Sequence, residues 1–165
     1  MRAAKIKGLA ELIDLRKTWA AQNQKVVWTN GCFDLLHVGH LRNLRDAKAL
    51  GDILVVGVNS DSSVREIKGP SRPVVCESER AELVAALEPV DYVCIFDEPT
   101  PREVLSQLRP DIHCKGADYA DGADRPIPER ATVLGYGGEI RFLPFHPGRS
   151  TSALIARIRD AGSGS

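Results

Sequence analysis

The chain has 165 residues, 43% of them hydrophobic, which fits one domain with a single buried core. Lysine and arginine together number 22, as do aspartate and glutamate, so the formal net charge is zero. That balance argues against a nucleic-acid-binding or membrane-surface protein, because both usually carry excess positive charge. No run of about 18 apolar residues is present for a membrane span, and the N-terminal sequence lacks the apolar stretch of a signal peptide.

The first half of the chain alternates helix and strand. The predicted elements are a helix over 9–22, a strand over 26–28, a helix from about Val38 to near Gly51, and a strand over 53–58. The strand over 53–58 is almost uninterruptedly apolar, which is typical of a strand buried on both faces of a parallel sheet. Residues 61–75 contain a glycine and two prolines and predict a long loop, a kind of segment that often carries function.

The second half continues the alternation. The predicted elements are a helix over 80–87, strands over 92–96, 111–115 and 139–143, a helix from Thr100 to near Leu108, and a final helix opened by Ser150. Thr100 is the predicted N-cap, because Pro101 and Glu103 occupy the first and third helical positions. In the final helix, Leu154, Ile155 and Ile158 are expected to face the core.

This order of elements predicts the fold class. Strand–helix alternation with about five strands indicates an α/β fold, a Rossmann-like doubly wound five-stranded parallel sheet with helices on both faces. We expect one domain over 1–161, with an N-terminal helix within 1–23 packed on it, and a flexible tail over 162–165.

Polar segments follow several of the predicted strands. They begin at Asn30, Asn59, Lys115 and Phe145. Because such sheets bind ligands beyond the C-terminal ends of their strands, we expect these segments to gather on one rim.

The cysteine pattern predicts a reduced, cytoplasmic protein. The four cysteines form no C-x-x-C pair, and Cys94 and Cys114 lie in apolar runs where cysteine acts as a small hydrophobe. We expect no protein-held metal, since His37 and His40 have no cysteine or third histidine close in sequence.

Residues 29–40, TNGCFDLLHVGH, join an apolar strand to a helix through Gly31. His37 and His40 share one face at the start of that helix, with Gly39 between them. A helix start presents free N–H groups and a positive dipole end, and therefore favours phosphates. Gly39 lets a ligand approach the backbone, although close helix packing would explain it equally. The segment points to nucleotide chemistry.

The same segment resembles the signature of the H-x-G-H nucleotidyltransferase superfamily. Further motifs resemble, in order, the adenylyltransferase domain of bacterial ADP-heptose pathway enzymes. These motifs are Asn59-Ser60-Asp61, Lys68-Gly69 with Arg72-Pro73, Arg80, Lys115-Gly116-Ala117-Asp118-Tyr119 and Ser150-Thr151-Ser152. The resemblance covers Leu9 to Arg159. Since the bifunctional form carries a sugar-kinase domain ahead of this one, we expect the stand-alone version here.

This resemblance implies transfer of AMP from ATP to D-glycero-β-D-manno-heptose 1-phosphate, giving ADP-heptose and pyrophosphate for lipopolysaccharide or surface-glycan synthesis. The sugar phosphate is already an anion, so the site needs no general base; it must bring two anions together and stabilise their charge. ATP and Mg²⁺ are implied, the ion being held mainly by phosphates and water. A homodimer is implied, without nucleic-acid or membrane partners.

The resemblance also assigns roles to individual residues. Catalytic roles are implied for His37, His40 and Lys68. Nucleotide binding is implied for Gly31, Cys32, Phe33, Gly39, Asn59, Lys115, Gly116, Asp118, Gly148, Arg149, Ser150 and Thr151. Substrate binding is implied for Asp34, Arg72 and Arg80.

Several of these residues have a plainer interpretation. Lys68 and Arg72 could be solvated loop charges, and Ser150 and Thr151 could simply cap a helix. Asp34 could orient its turn rather than touch substrate. For Arg80, the alternative is an ion pair with Glu77 or Glu79.

Two other functions remain open at this point. One is a cytidylyltransferase for a small polyol phosphate such as glycerol 3-phosphate; the other is a non-catalytic nucleotide-binding module. Cytidylyltransferases of the superfamily carry an Arg-Thr pair where this chain has Phe145 and His146, which weakens the first. A class I aminoacyl-tRNA synthetase fragment is disfavoured by the balanced charge and by the lack of a Lys-Met-Ser-Lys-Ser-like loop.

Overall fold

A five-stranded parallel sheet forms the centre of the protein, which the computed structural model describes over residues 5–120, 125–147 and 150–162. The strands are β1 (Val26–Gly31), β2 (Ile53–Asn59), β3 (Tyr92–Phe96), β4 (Ile112–Gly116) and β5 (Glu139–Leu143). They lie in the order β3-β2-β1-β4-β5, and each neighbouring pair is parallel. This confirms the predicted Rossmann-like sheet.

Helices cover both faces of the sheet, as predicted. They are α1 (Leu9–Ala21), α2 (Val38–Lys48), α3 (Asp61–Lys68), α4 (Glu77–Ala85), α5 (Arg102–Leu108), α6 (Arg130–Gly135) and α7 (Thr151–Gly162). Leu44 of α2 and Val84 of α4 share one apolar cluster with Val27. Leu12 of α1 shares a second cluster with Trp28 and with residues of α5 and α6. Since successive strand residues point to opposite faces, Val27 and Trp28 divide the core into two layers.

Trp28 makes the second layer dense at its centre. Its side chain is fully buried, and its ring centroid lies 6.2 Å from that of Phe96. A Cβ on Gly57 of the neighbouring strand would lie 2.3 Å from the Trp28 ring, so glycine is the residue that fits there.

The strand order places a switch point between β1 and β4. The chain moves outward from β1 to β2 and β3, and then returns to the other side of β1 for β4 and β5. Connections therefore leave β1 and β4 in opposite directions, which opens a crevice beyond their C-terminal ends. A 3-10 turn over Ala117–Tyr119 follows β4 at that edge.

Two predicted local structures are wrong. Half of the predicted loop over 61–75 is helix α3, because Ser60 caps it by accepting from the Ser63 N–H at 3.3 Å. The glycine and prolines lie after this helix and leave only a short loop over 69–76. Pro101, rather than Thr100, occupies the N-cap position of α5, without a side-chain capping bond. Helix α6 had no counterpart among the predicted elements.

Helix α7 also differs from expectation. Its apolar residues have helical spacing, but none of the residues in this helix is buried. Ile158 is 59% exposed, and Leu154 and Ile155 are half-buried. The prediction that these side chains face the core is wrong, because helices from earlier in the chain already cover both faces of the sheet.

No helix within the described ranges is long and apolar enough to cross a membrane. All four cysteines are free, and Cys94 and Cys114 are buried as predicted.

Candidate active site

A cleft lies beyond the C-terminal ends of β1 and β4. Its first cavity, of about 220 Å³, is lined by residues 29–33, residues 114–116, Leu143 and three side chains of α2. A second cavity, of about 440 Å³, shares His40, Asn43 and Gly116 with the first, so the two adjoin. This is the edge at which ligands bind in doubly wound sheets.

The cleft brings most of the predicted site residues together. Those lining the first cavity are Gly31, Cys32, Phe33, His40, Lys115 and Gly116. Those lining the second are His37, Gly39, His40, Lys68, Gly116, Asp118, Ser150 and Thr151. Of the four polar segments expected on one rim, those at Asn30, Lys115 and Phe145 line the cleft, whereas Asn59 lies outside it.

The two motif histidines form the cap of helix α2. His37 is the N-cap residue in an extended conformation, and its Nδ1 accepts from the Gly39 N–H at 3.1 Å. His40 Nδ1 accepts in turn from the His37 N–H at 3.3 Å. The histidines thus form a reciprocal capping box of the kind usually made by serine and glutamate. The imidazole rings stack with centroids 3.9 Å apart.

This capping geometry determines the tautomers of the histidines. A ring nitrogen that accepts a hydrogen bond carries no proton, so each neutral imidazole holds its proton at Nε2. Burial, together with the neighbouring His37, lowers the pKa of His40 from 6.5 to about 4. At neutral pH, His40 is therefore an uncharged Nε2–H donor at the wall of both cavities.

The turn before the histidines presses an aromatic ring against His40. Phe33 has a left-handed backbone (φ 50°), and its ring centroid lies 5.3 Å from that of His40. A Cβ on Gly31 would lie 3.2 Å from the Phe33 ring, which is a tight contact, so glycine at this position leaves room for the ring. A strained conformation of this kind persists only where the surrounding structure holds it, and such sites are often functional.

Asp34 ties this turn to the loop over 69–76. Its buried carboxylate accepts from the N–H groups of Val74 and Val75 at 2.8 and 2.9 Å and from Arg72 Nε at 2.6 Å. Burial raises the pKa of Asp34, but these donors outweigh it and leave the pKa below its ordinary value. Asp34 therefore orients the turn. Its carboxylate is buried and faces the loop, rather than the substrate that the resemblance implies. Arg72 is engaged with Asp34 and lines neither cavity.

Arg80 is a structural residue here, which corrects the substrate-binding expectation. Its side chain is fully buried. The guanidinium donates to the carbonyl oxygens of Val75, Cys32 and Asn59 and to Asp61 Oδ1. It therefore joins the loop, the turn after β1 and the end of β2. The alternative of a pair with Glu77 or Glu79 is also wrong, since the carboxylate partner is Asp61.

Asn59 needs a similar correction. Its side chain is buried at the end of β2, where Nδ2 donates to Ser63 Oγ at 2.9 Å and to the Glu98 carbonyl oxygen at 3.4 Å. These bonds point the amide at α3 and the chain after β3. The nucleotide contact implied for Asn59 is not supported by this geometry.

Lys115 is held at the end of β4 by a buried carboxylate that the sequence did not single out. Glu129 Oε1 accepts from Lys115 Nζ at 2.9 Å and pairs with His113 Nε2 at 2.8 Å. The His113 and Glu129 side chains are almost fully buried, at 0% and 1% exposure. Lys115 Nζ also lies 4.3 Å from the centroid of the Tyr119 ring.

Helix α7 begins beside the histidine turn. Ser150 Oγ accepts from the Ala153 N–H at 3.1 Å, which is the capping bond expected of a helix-opening serine. Thr151 Oγ1 donates to the Leu35 carbonyl oxygen at 3.4 Å and so ties α7 to the turn before α2. Gly148 and Arg149, predicted to bind nucleotide, lie outside the described residues.

Several lining residues were not among the predicted site residues. Thr29 and Asn43 line the first cavity, and Phe145 and His146 line the second. Asn43 lies three residues after His40, so helical spacing from the motif would have found it. Phe145 is 73% exposed, and His146 Nε2 lies 2.9 Å from Asp46 Oδ2 of α2.

The cleft offers donors and cations rather than metal ligands. Within the described ranges, no group of three or more His, Cys, Asp and Glu side chains is placed to hold a metal ion. The carboxylate of Asp118 faces Arg125 in an exposed ion pair. These residues suit a polyanion.

Comparisons with known proteins agree with this chemistry. The model of the cytidylyltransferase-like family matches residues 28–157. The bifunctional protein HldE of Syntrophotalea carbinolica is 47% identical over 95% of this chain, and that of Geobacter sulfurreducens is 46% identical over 96%. The chain spans about a third of these relatives' length, 31% and 32%. A solved lipopolysaccharide core biosynthesis protein from Thermoplasma volcanium matches with a TM-score of 0.63 and 30% identity, covering 74% of this chain and 98% of that one.

Proposed function

Because this chain belongs to the cytidylyltransferase-like family and is a nucleotidyltransferase, we propose that it transfers AMP from ATP to D-glycero-β-D-manno-heptose 1-phosphate, releasing pyrophosphate. The observation that carries the proposal is the 47% identity to a protein named HldE across 95% of this chain. Residues 115–118 of the Lys115–Tyr119 motif, which resembles the ADP-heptose enzymes, line the cleft and support the same substrate. The similar Thermoplasma protein is named for lipopolysaccharide core biosynthesis, which is consistent with this role.

In the proposed reaction, a phosphate oxygen of the sugar 1-phosphate attacks the α-phosphorus of ATP. The bond from that phosphorus to the bridging oxygen breaks, and pyrophosphate leaves with the electron pair. The attacking oxygen is already ionised, so catalysis consists of positioning two anions and stabilising the charge of the transition state.

The residues of the cleft suit that task. His37 and His40 each present Nε2 as a donor, a choice of atom that follows from their capping bonds, and His40 is uncharged at neutral pH. We assign Lys68 and Lys115 to the phosphates as cations. The starts of α2 and α7 lie at the second cavity, where Gly39 and Ser150 are, and the positive dipole end of a helix start favours an anion. No residue is required to remove a proton.

One sequence difference at the second cavity supports ATP rather than CTP. Cytidylyltransferases of the superfamily carry Arg-Thr where Phe145 and His146 stand here. The exposed phenylalanine at the second cavity offers a stacking surface to a nucleobase of either kind, and aromatic–base stacking is worth about 1–3 kcal/mol.

Pyrophosphate release tests the proposal. The full chain is incubated with MgATP or MgCTP and with one of three acceptors: the β-anomer of heptose 1-phosphate, its α-anomer, or glycerol 3-phosphate. We expect release with ATP and the β-heptose phosphate, well above every other pair. Preference for CTP with glycerol 3-phosphate would establish the cytidylyltransferase alternative. Nucleotide binding without release for any acceptor would establish a non-catalytic module.

We also propose that residues 1–161 form one catalytic domain, that the protein assembles as a homodimer, and that it works in the cytoplasm. Sedimentation of the purified chain measures the assembly state directly. A monomer at micromolar concentration would contradict the dimer.

A further inference from the structure

We propose that Glu129 is a positioning residue, which fixes the ammonium group of Lys115 in the nucleotide cleft through geometry rather than through charge. The proposal rests on the nucleotide-binding role proposed above for Lys115. Glu129 lies just before α6, outside the motifs of the superfamily, and 14 residues after Lys115.

The contacts around Glu129 form a short chain from the core to the cleft. A single carboxylate oxygen, Oε1, receives Lys115 Nζ on one side at 2.9 Å and His113 Nε2 on the other at 2.8 Å. His113 and Lys115 are alternate residues of β4 and lie on the same face of the strand. The Lys115 side chain is 12% exposed, whereas those of Glu129 and His113 are 1% and 0% exposed, so of the three residues only Lys115 lines the cleft.

His113 is a neutral donor that holds the Glu129 carboxylate on the core side, away from the cleft. Burial lowers the pKa of His113, so its ring is uncharged at neutral pH, and Nε2 carries the proton that faces Glu129. Burial raises the pKa of Glu129, but His113 and Lys115 outweigh it and bring the pKa down to about 2. The carboxylate is therefore ionised, and it neutralises the charge of Lys115.

Neutralisation by itself weakens the attraction between a lysine and a phosphate. Glu129 instead positions the lysine. It holds the flexible four-carbon side chain of Lys115 in one conformation, so less rotamer freedom is lost when nucleotide binds. Positioning and charge thus have opposite effects on nucleotide affinity, and they can be separated by mutation.

The substitutions Glu129→Gln and Glu129→Asp separate the effect of positioning from the effect of charge. The glutamine keeps an acceptor oxygen at the position of Oε1, and its NH₂ group replaces Oε2, which has no hydrogen-bond partner among the described residues. The aspartate keeps the charge but withdraws the acceptor by one methylene. If position matters, Glu129→Gln binds nucleotide as well as the unchanged protein and Glu129→Asp binds it poorly.

The test is calorimetric binding of α,β-methylene-ATP to the full chain, with thermal unfolding as the check on folding. We expect the Kd of Glu129→Gln to stay within about three-fold and that of Glu129→Asp to rise about ten-fold, the range of one charge-assisted hydrogen bond. Lys115→Met should raise the Kd by at least as much. In the Lys115→Met background, Glu129→Asp should add less than about two-fold, because the residue acts through the lysine.

Three results would overturn the inference. Weak binding by Glu129→Gln with normal binding by Glu129→Asp would make charge the important property. Equal effects of Glu129→Asp with and without Lys115 would make its role purely structural. Normal nucleotide binding by Lys115→Met would show that Lys115 does not contact the nucleotide, and it would overturn the role of Glu129 as well. The proposed reaction is tested separately, by pyrophosphate release from the unchanged protein.

Discussion

Replacement of His40 by asparagine separates the two tasks that the structure gives to this side chain. His40 Nδ1 accepts from the His37 N–H and caps α2, whereas Nε2 carries the donor that we assign to the transition state. An asparagine Oδ1 can occupy the position of Nδ1 and keep the capping bond, but its side chain ends before the position of Nε2. His40→Asn therefore removes the donor and leaves the cap, and His40→Ala removes both.

The expected magnitudes differ for stability and rate. Loss of one donor to a charged transition state costs about 2.7–4 kcal/mol, so kcat should fall about 100- to 1,000-fold in both variants. Loss of the capping-box acceptor at the third helical position costs about 1 kcal/mol of unfolding free energy, and only His40→Ala should lose it. The equivalent changes at His37 should also reduce kcat by about a hundred-fold or more with folding intact.

Steady-state pyrophosphate release measures the rate, and urea unfolding measures the stability. Full activity in His40→Asn would refute the donor assignment, and equal destabilisation of the two His40 variants would refute the separation of cap and donor.

Three other predictions follow from the same contacts. Arg80→Met should lower the unfolding free energy by about 3–5 kcal/mol, because a fully buried guanidinium is lost; normal urea unfolding with a raised KM would instead support substrate contact. Lys68→Ala should raise the KM for ATP about ten-fold in steady-state assays, while Arg65→Ala, an exposed charge on the same helix, should not; equal effects would contradict the assignment. Unfolding free energy should fall as the pH drops from 6.5 toward about 4, because buried His40 and His113 stay neutral while the unfolded chain takes up protons; a constant urea midpoint would contradict this.

Much of the sheet could be predicted from local pattern. The apolar runs that became β2 and β3 are long enough and regular enough for the sequence to indicate strands directly. Helix α3 was missed because the glycine and prolines that follow it suggested a loop over the whole segment, whereas the capping bond from Ser60 sets its start. The stripe of apolar residues in α7 predicted a helix correctly, but periodicity cannot tell whether anything packs against it.

The roles of the charged residues near the cleft were less predictable. Arg80 and Asp34 belong to motifs that resemble substrate-binding positions, but both side chains are buried against backbone groups distant in sequence. The N–H donors of a guanidinium can bind either a phosphate or a set of carbonyl oxygens. The residues next to an arginine in sequence do not show which of these two partners it has. The same limit applies to Glu129, which no motif of the sequence identifies, because its partners lie on β4, 14 and 16 residues away in the chain.

The sequence by itself determined the class of chemistry, because His37, Gly39 and His40 are close neighbours whose geometry follows from one helix start. It also determined the parallel sheet, since apolar periodicity and chain order require no knowledge of distant contacts. Only the tertiary structure decided which polar side chains face the cleft and which ones hold its walls. Those roles depend on hydrogen bonds between residues 14 to 116 positions apart, which form only after the sheet and its helices have packed.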